Sequence, residues 1–227
     1  MNGFRTILSL AAAITVVTGC GQQSQPVSKQ PEAKIQPDVE QATPVGTQIP
    51  AGGIPILEVG EAGRQLNQGP GDAFAEFETV SGEGAGFQNA IRARVTGQLP
   101  EKAWYTQVSI RSTLNLKQGE TVLISFWART IATKAEDGMG DFLIYFGIPA
   151  AEDTPADELV KETIMERRKV GKEWKQFLIP RRVPADYEAA LTRMNLDFGY
   201  ALQTLEFAGI QVYQYPDRSP EDLPSSE

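Results

Sequence analysis

Thr121-Val122-Leu123-Ile124-Ser125-Phe126-Trp127-Ala128-Arg129 is the stretch on which the fold class turns. Its β-branched and aromatic residues suit a pleated surface packed on at least one side. A period of two places Val122, Ile124, Phe126 and Ala128 on one face, and Leu123, Ser125, Trp127 and Arg129 on the other. Both faces carry bulk, so this strand is expected to be central or covered on both sides. Gly119, just ahead of it, fits a tight turn because glycine tolerates positive φ.

The same period recurs on either side. Phe142-Leu143-Ile144-Tyr145-Phe146-Gly147-Ile148 reads as a strand, as do Ala90–Thr96, Tyr105–Leu114, Trp174–Ile179, Met194–Phe198 and Leu205–Tyr213. Gly, Pro, Asp and Asn clusters separate them. Asp157–Arg168 reads either as a helical turn, acids preceding bases, or as a loop entering a strand through Thr163–Val170. Many short strands joined by loops predict an all-β sandwich or barrel with little helix. The expected folded domain spans residues 57–215. Residues 216–227, rich in Pro, Ser and acids, are expected to fray.

The N-terminal segment has a different character. One positive charge (Arg5), an apolar run from Ile7 to Val17, and the small-residue ending Val17-Thr18-Gly19-Cys20 form the layout of a secretory signal. The run is shorter than the ~20 residues that span a bilayer. A Cys directly after small residues resembles the lipobox of bacterial lipoproteins. That resemblance implies removal of residues 1–19, lipidation of Cys20 and export. Stable anchoring takes two hydrophobic signals, and bacterial lipoproteins carry more than one acyl chain on this Cys. Gly21 is not the Asp that retains many Gram-negative lipoproteins at the inner membrane, which favours the outer membrane or cell surface. Residues 20–56 then read as a tether. They hold Pro26, Pro31, Pro37, Pro44, Pro50 and Pro55 among Gln, Ser and Thr, and no aromatic residue.

Composition excludes much chemistry. The 227 residues carry a formal charge of −8, and no basic cluster offers the local Lys/Arg density that nucleic acid requires. The absence of histidine removes Ser-His-Asp and Cys-His catalysis and histidine zinc sites. Cys20 is the only cysteine, so lipidation would remove thiolate catalysis too. Glycines in Gly82-Glu83-Gly84-Ala85-Gly86 lack the Lys-Ser/Thr of a phosphate loop and read as a flexible loop. Glycoside hydrolysis needs two carboxylates across the bond, ~5 to 9.5 Å apart. Glu136-Asp137, Glu152-Asp153 and Asp157-Glu158 fall in apparent loops. Glu76 and Glu78 share a strand face, and Asp197 and Glu206 are expected on neighbouring strands, but nothing marks a catalytic pair. The expectation is a non-enzyme with no cofactor.

Three segments carry a family resemblance over most of residues 60–215. Leu116-Lys117-Gln118-Gly119-Glu120-Thr121-Val122 followed by Ser125-Phe126-Trp127-Ala128-Arg129 resembles the signature of CenC-type carbohydrate-binding modules. Val170-Gly171-Lys172-Glu173-Trp174-Lys175-Gln176-Phe177 resembles a later strand of these modules. Phe198-Gly199-Tyr200 with Gln203-Thr204-Leu205-Glu206-Phe207-Ala208-Gly209-Ile210-Gln211-Val212 resembles their closing segment. Trp104, ahead of Gln107-Val108, matches the aromatic that often opens the preceding strand. The resemblance implies a galactose-binding-like jelly roll whose ligand groove lies on a concave sheet face, often in the company of a glycoside hydrolase. Some relatives hold structural calcium with an Asp where Ala208-Gly209 stands, and that departure argues against calcium here. Trp174 and Phe177 are expected to supply core area.

A sugar needs an aromatic platform beside planar hydrogen-bonding groups. Alternation turns Ile91, Ala93 and Val95 inward and Arg92 and Arg94 outward. It likewise leaves Tyr105, Gln107, Tyr145, Asn195 and Asp197 opposite the core. If these strands share one sheet, Arg94, Trp104, Tyr105, Gln107, Tyr145, Asn195 and Asp197 form a carbohydrate-binding surface. Polar residues alternating outward are also what any solvated sheet face shows. Two functions therefore stand side by side. One is a lipid-anchored module binding a polysaccharide such as xylan or β-glucan. The other is a structural envelope lipoprotein using the sandwich to hold a protein partner.

Overall fold

The computed structural model describes residues 49–149 and 161–226, apart from Val59, Glu61, Ala73 and residues 98–99. The signal-like segment, Cys20 and the tether up to residue 48 lie outside the described residues, as does the stretch around Asp157.

Eleven strands are present among the described residues: β1 (Ile54–Pro55), β2 (Arg64–Gln68), β3 (Ala75–Gly82), β4 (Phe87–Val95), β5 (Thr106–Arg111), β6 (Thr121–Thr133), β7 (Gly140–Gly147), β8 (Ile164–Val170), β9 (Lys175–Arg182), β10 (Arg193–Asp197) and β11 (Gln203–Tyr215). They form two antiparallel sheets. Sheet 1 runs β3-β4-β11-β6-β9, with β1 also paired to β11, and sheet 2 runs β2-β5-β10-β7-β8. Together they make an all-β jelly-roll sandwich. The strand expectations hold, and the stretch before β8 is helical at Lys161 and Glu162 and becomes strand from Ile164.

The core lies between the sheets. From sheet 1 come Ile91, Ala93, Val122, Ile124, Phe126, Phe177, Leu205 and Phe207, and from sheet 2 come Val108, Phe142, Ile144, Phe146, Met194 and Leu196. Phe126 stacks on Phe177 with ring centroids 4.9 Å apart, and Phe142 of the facing sheet meets both edge-on at 5.8 and 5.5 Å. Such contacts add to the large area these rings remove from water. β6 is covered on both faces as expected, since Leu123 and Ser125 of its outer face are buried too.

Two features depart from the sequence expectations, Trp174 and the C-terminal tail, and a third, at Gly209, adds to them. Trp174 is not in this core: it and Trp127 pack with Phe87 and Val80 over Ala85, Ala90 and Ala208 on the outer face of sheet 1. Trp174 and Phe177 are three residues apart, so along a strand they point to opposite faces. Gly209 (φ 58°) sits at a bulge in β11, and the Phe87 ring lies where a Cβ on Gly209 would stand. Glycine is therefore required there for close approach. The C-terminal tail packs instead of fraying. Leu223 is buried against Leu123, Leu178 and Tyr215, while Ser226 Oγ accepts from Leu178 N at 2.7 Å and Ser226 N donates to Leu178 O at 3.0 Å. The tail thereby occupies backbone groups of β9, an edge strand that would otherwise invite pairing with another chain.

The opposite risk, a gap between edge strands β8 and β9, is closed by charge. Glu166 and Arg168 share the inward face with Ile144 and Phe142, and Arg181 shares it with Val122. Glu166 bridges Arg168 and Arg181 across the rim of the sandwich.

Candidate functional site

The outer face of sheet 2 is laid out by the pairing register. One row across it reads Asn67, Gln107, Asp197, Leu143, Arg167, and the next reads Gln65, Ser109, Asn195, Tyr145, Met165. Gln107, Tyr145, Asn195 and Asp197 are thus brought together. Trp104 and Tyr105 border them from the turn Pro100–Tyr105 that leads into β5, their rings edge-on at 6.0 Å. Gln107 Nε2 donates to Trp104 O at 2.6 Å, which fixes that turn against the row. Trp104 remains 44% exposed.

Arg94 is not on this face. β4 belongs to sheet 1, where Arg94 is paired with Glu76 at 2.7 Å and lines a shallow groove of about 560 Å³ with Glu78, Arg92, Ile131 and Thr204. Alternation gave its outward direction; the crossing of the chain between sheets after β4 put it on the opposite side of the molecule. Asp197 and Glu206 separate for the same reason, one in each sheet.

Burial divides the sheet 2 residues further. Tyr145 faces outward yet is only 7% exposed, and its hydroxyl donates to Ile148 O at 2.6 Å. Asp197 is 4% exposed, and its Oδ1 has no hydrogen-bond partner; Asn195 Oδ1, two residues back on the same face, is also buried and without one. A buried acceptor without a donor costs on the order of 1–3 kcal/mol, more when charged. Burial raises the Asp197 carboxyl to about 7, since desolvation disfavours the charged form. Tyr200, just beyond β10, is raised to about 12 by its own burial and by Asp197. Nearby cations are engaged: Arg167 holds Asp141 through two bonds of 2.8 and 2.6 Å and lies over the Tyr200 ring at 4.3 Å.

The position is braced by Gln203. Buried in β11 of sheet 1, its amide donates to Asp141 O at 2.6 Å and to Phe198 O at 2.8 Å, and accepts from Asp141 N at 2.8 Å. One side chain ties the start of β7 and the end of β10 to the other sheet.

The outer face of sheet 1 is differently equipped. Glu206, fully buried, is gripped by Arg92 (2.7 Å) and Arg129 (2.7 Å), and Arg129 lies over the Trp174 ring at 4.7 Å. Glu76 and Glu78 are both ion-paired, to Arg94 and Arg92 respectively. Trp127 Nε1, Trp174 Nε1 and Gln176 Nε2 are buried donors without partners. The Trp174 indole is closed in by the Glu83–Ala85 turn, lying 2.8 Å from where a Cβ on Gly84 would be. Among the described residues no three His, Cys, Asp or Glu side chains gather as a metal ion would require.

No family model and no curated protein matches the chain. Similar solved structures include one described as "CBM4 structure and function", 14% identical with a TM-score of 0.46, covering 66% of this chain and 84% of that one. The CBM22-1 xylan-binding domain of Xyn10C from Paenibacillus barcinonensis is 12% identical with a TM-score of 0.43, covering 69% and 88%. The CBM22-1–GH10 modules of xylanase 10B from Clostridium thermocellum, complexed with xylohexaose, are 13% identical with a TM-score of 0.47, covering 73% of this chain and 29% of that one. The jelly-roll assignment of the present chain rests on its own strand order and register.

Proposed function

We propose that the outer face of sheet 2 binds a polysaccharide, of the xylan or β-glucan kind, without chemistry. The observation that carries this reading is the pair of buried, donorless oxygens, Asn195 Oδ1 and Asp197 Oδ1, in adjacent rows of one sheet face. Hydroxyl groups are the donors such a pair lacks, and the exposed Trp104 ring offers a surface for the apolar face of a sugar. The lipid on Cys20 and the tether behind it would hold the module at the cell envelope, at the outer membrane of a Gram-negative cell, beside a polysaccharide or a partner hydrolase.

Affinity gel electrophoresis in xylan, β-glucan and pectin tests this. Retardation in at least one gel, lost by more than tenfold in affinity in Asn195→Ala, is the expected result; unretarded migration in all of them contradicts it. A second reading draws on the sheet 1 groove, where exposed Ile131 lies beside the Arg92–Glu78 and Arg94–Glu76 pairs as a protein-contact surface would. A reproducible crosslinked envelope protein together with no glycan retention would favour it.

A further inference from the structure

Asp197 differs from the other outward-facing carboxylates of sheet 2. Asp141 is held by Arg167, whereas Asp197 Oδ1 has no donor although the residue is almost wholly buried. Its cross-strand neighbours are uncharged: Gln107 on β5, whose amide nitrogen donates to Trp104 O, and Leu143 on β7. Beyond them β2 presents Asn67 and Gln65. The charged or titratable groups around it are the Asp141–Arg167 pair of β7 and β8, Tyr200 past the end of β10, and Tyr105 with Lys102 in the turn before β5. Arg167 is held by Asp141, and Lys102 donates to the Tyr105 hydroxyl at 3.1 Å.

A carboxyl in this setting is stable as the neutral acid while nothing donates to it. A ligand that brings hydroxyl donors changes the balance, because hydrogen bonds to the charged form favour that form. We propose that Asp197 binds the glycan as a carboxylate and releases its proton to solvent as the complex forms. This rests on the glycan-binding reading of the same face. The balance is simple: the neutral acid loses one proton to water, the carboxylate accepts sugar hydroxyl hydrogens, and no bond of the glycan forms or breaks. Burial already places the free carboxyl at about 7, so the linkage falls where it can be measured.

The experiment is calorimetric titration of the full chain with xylohexaose from about pH 5.5 to about pH 8.5, in buffers of differing ionisation enthalpy. Carbon-13 carboxyl shifts of the free protein are followed in parallel. Affinity should rise about tenfold per pH unit below about pH 6.5 and level off above about pH 8, with close to one proton released per complex at the acid end. Asp197→Asn should bind with a flat pH profile and no proton release. Binding with a flat profile in the unmodified chain, or a free Asp197 that titrates near the ordinary carboxylate value, overturns this inference and leaves the binding face standing. No binding of xylohexaose or of xylan and β-glucan oligosaccharides at any pH overturns both.

Discussion

A carboxyl group 4% exposed, with one oxygen lacking a donor, makes stability depend on pH. Asp197 moves from 3.8, its ordinary value, to about 7 on folding. Between those values the folded chain holds a proton that the unfolded chain has lost. Its contribution is therefore intact below about pH 4 and falls as pH rises through about 7. Asp197→Asn removes that dependence. At about pH 8.5 the variant should be more stable than the unmodified chain by roughly 2–4 kcal/mol, and near pH 4 the two should agree. Urea unfolding at the two pH values measures this, and an equal difference at both would contradict the buried-acid account. Tyr145 belongs to the same scale: its hydroxyl donates to Ile148 O and its ring is covered, so it packs into the same face as Asp197.

Between strands, charge is arranged by cross-strand register. Glu206 on β11 stands opposite Arg92 on β4 and Arg129 on β6, and the three make a clamp whose central carboxylate has no solvent contact. Removing the buried partner strands Arg129 and leaves Arg92 only the exposed Glu78, whereas removing an exposed partner costs little. Glu206→Gln should lose about 3 kcal/mol, and Glu78→Gln, on the exposed flank of the same row, less than about 1 kcal/mol. Denaturant midpoints of the two variants decide it; equal losses would show that the clamp is not the unit. This row also shows how far alternation carries. Ile91, Ala93 and Val95 inward with Arg92 and Arg94 outward was legible, because period two fixes direction relative to the core. Which outer face a residue reaches was not, because that depends on where the chain crosses between sheets, a long-range property of the topology. Hence Gln107, Tyr145, Asn195 and Asp197 assembled as expected, and Arg94 went to the other side. The bracing role of Gln203 was not legible, because its partners are backbone groups of Asp141 and Phe198, the first remote in sequence and the second in the turn after β10.

For the whole molecule, the two outer faces have been finished differently. Sheet 1 is overlaid by the tail at Leu223 and by the Trp127–Trp174–Phe87 cluster under the Glu83–Ala85 turn, and its carboxylates are ion-paired. Sheet 2 presents polar rows in which two acceptors wait for donors. The inner faces are matched, with the aromatic rings of Phe126, Phe142, Phe177 and Phe207 locking the layers together. Function on this account belongs to one surface of a rigid scaffold. The direct test is a nitrogen-15 chemical-shift titration with xylohexaose and with β-glucan oligosaccharides. Shifts centred on Gln107, Asn195 and Asp197, with Trp104 Nε1 moving as its ring is covered, are the expected result. Shifts centred on Arg94 or Trp127, or none with any glycan, would contradict it.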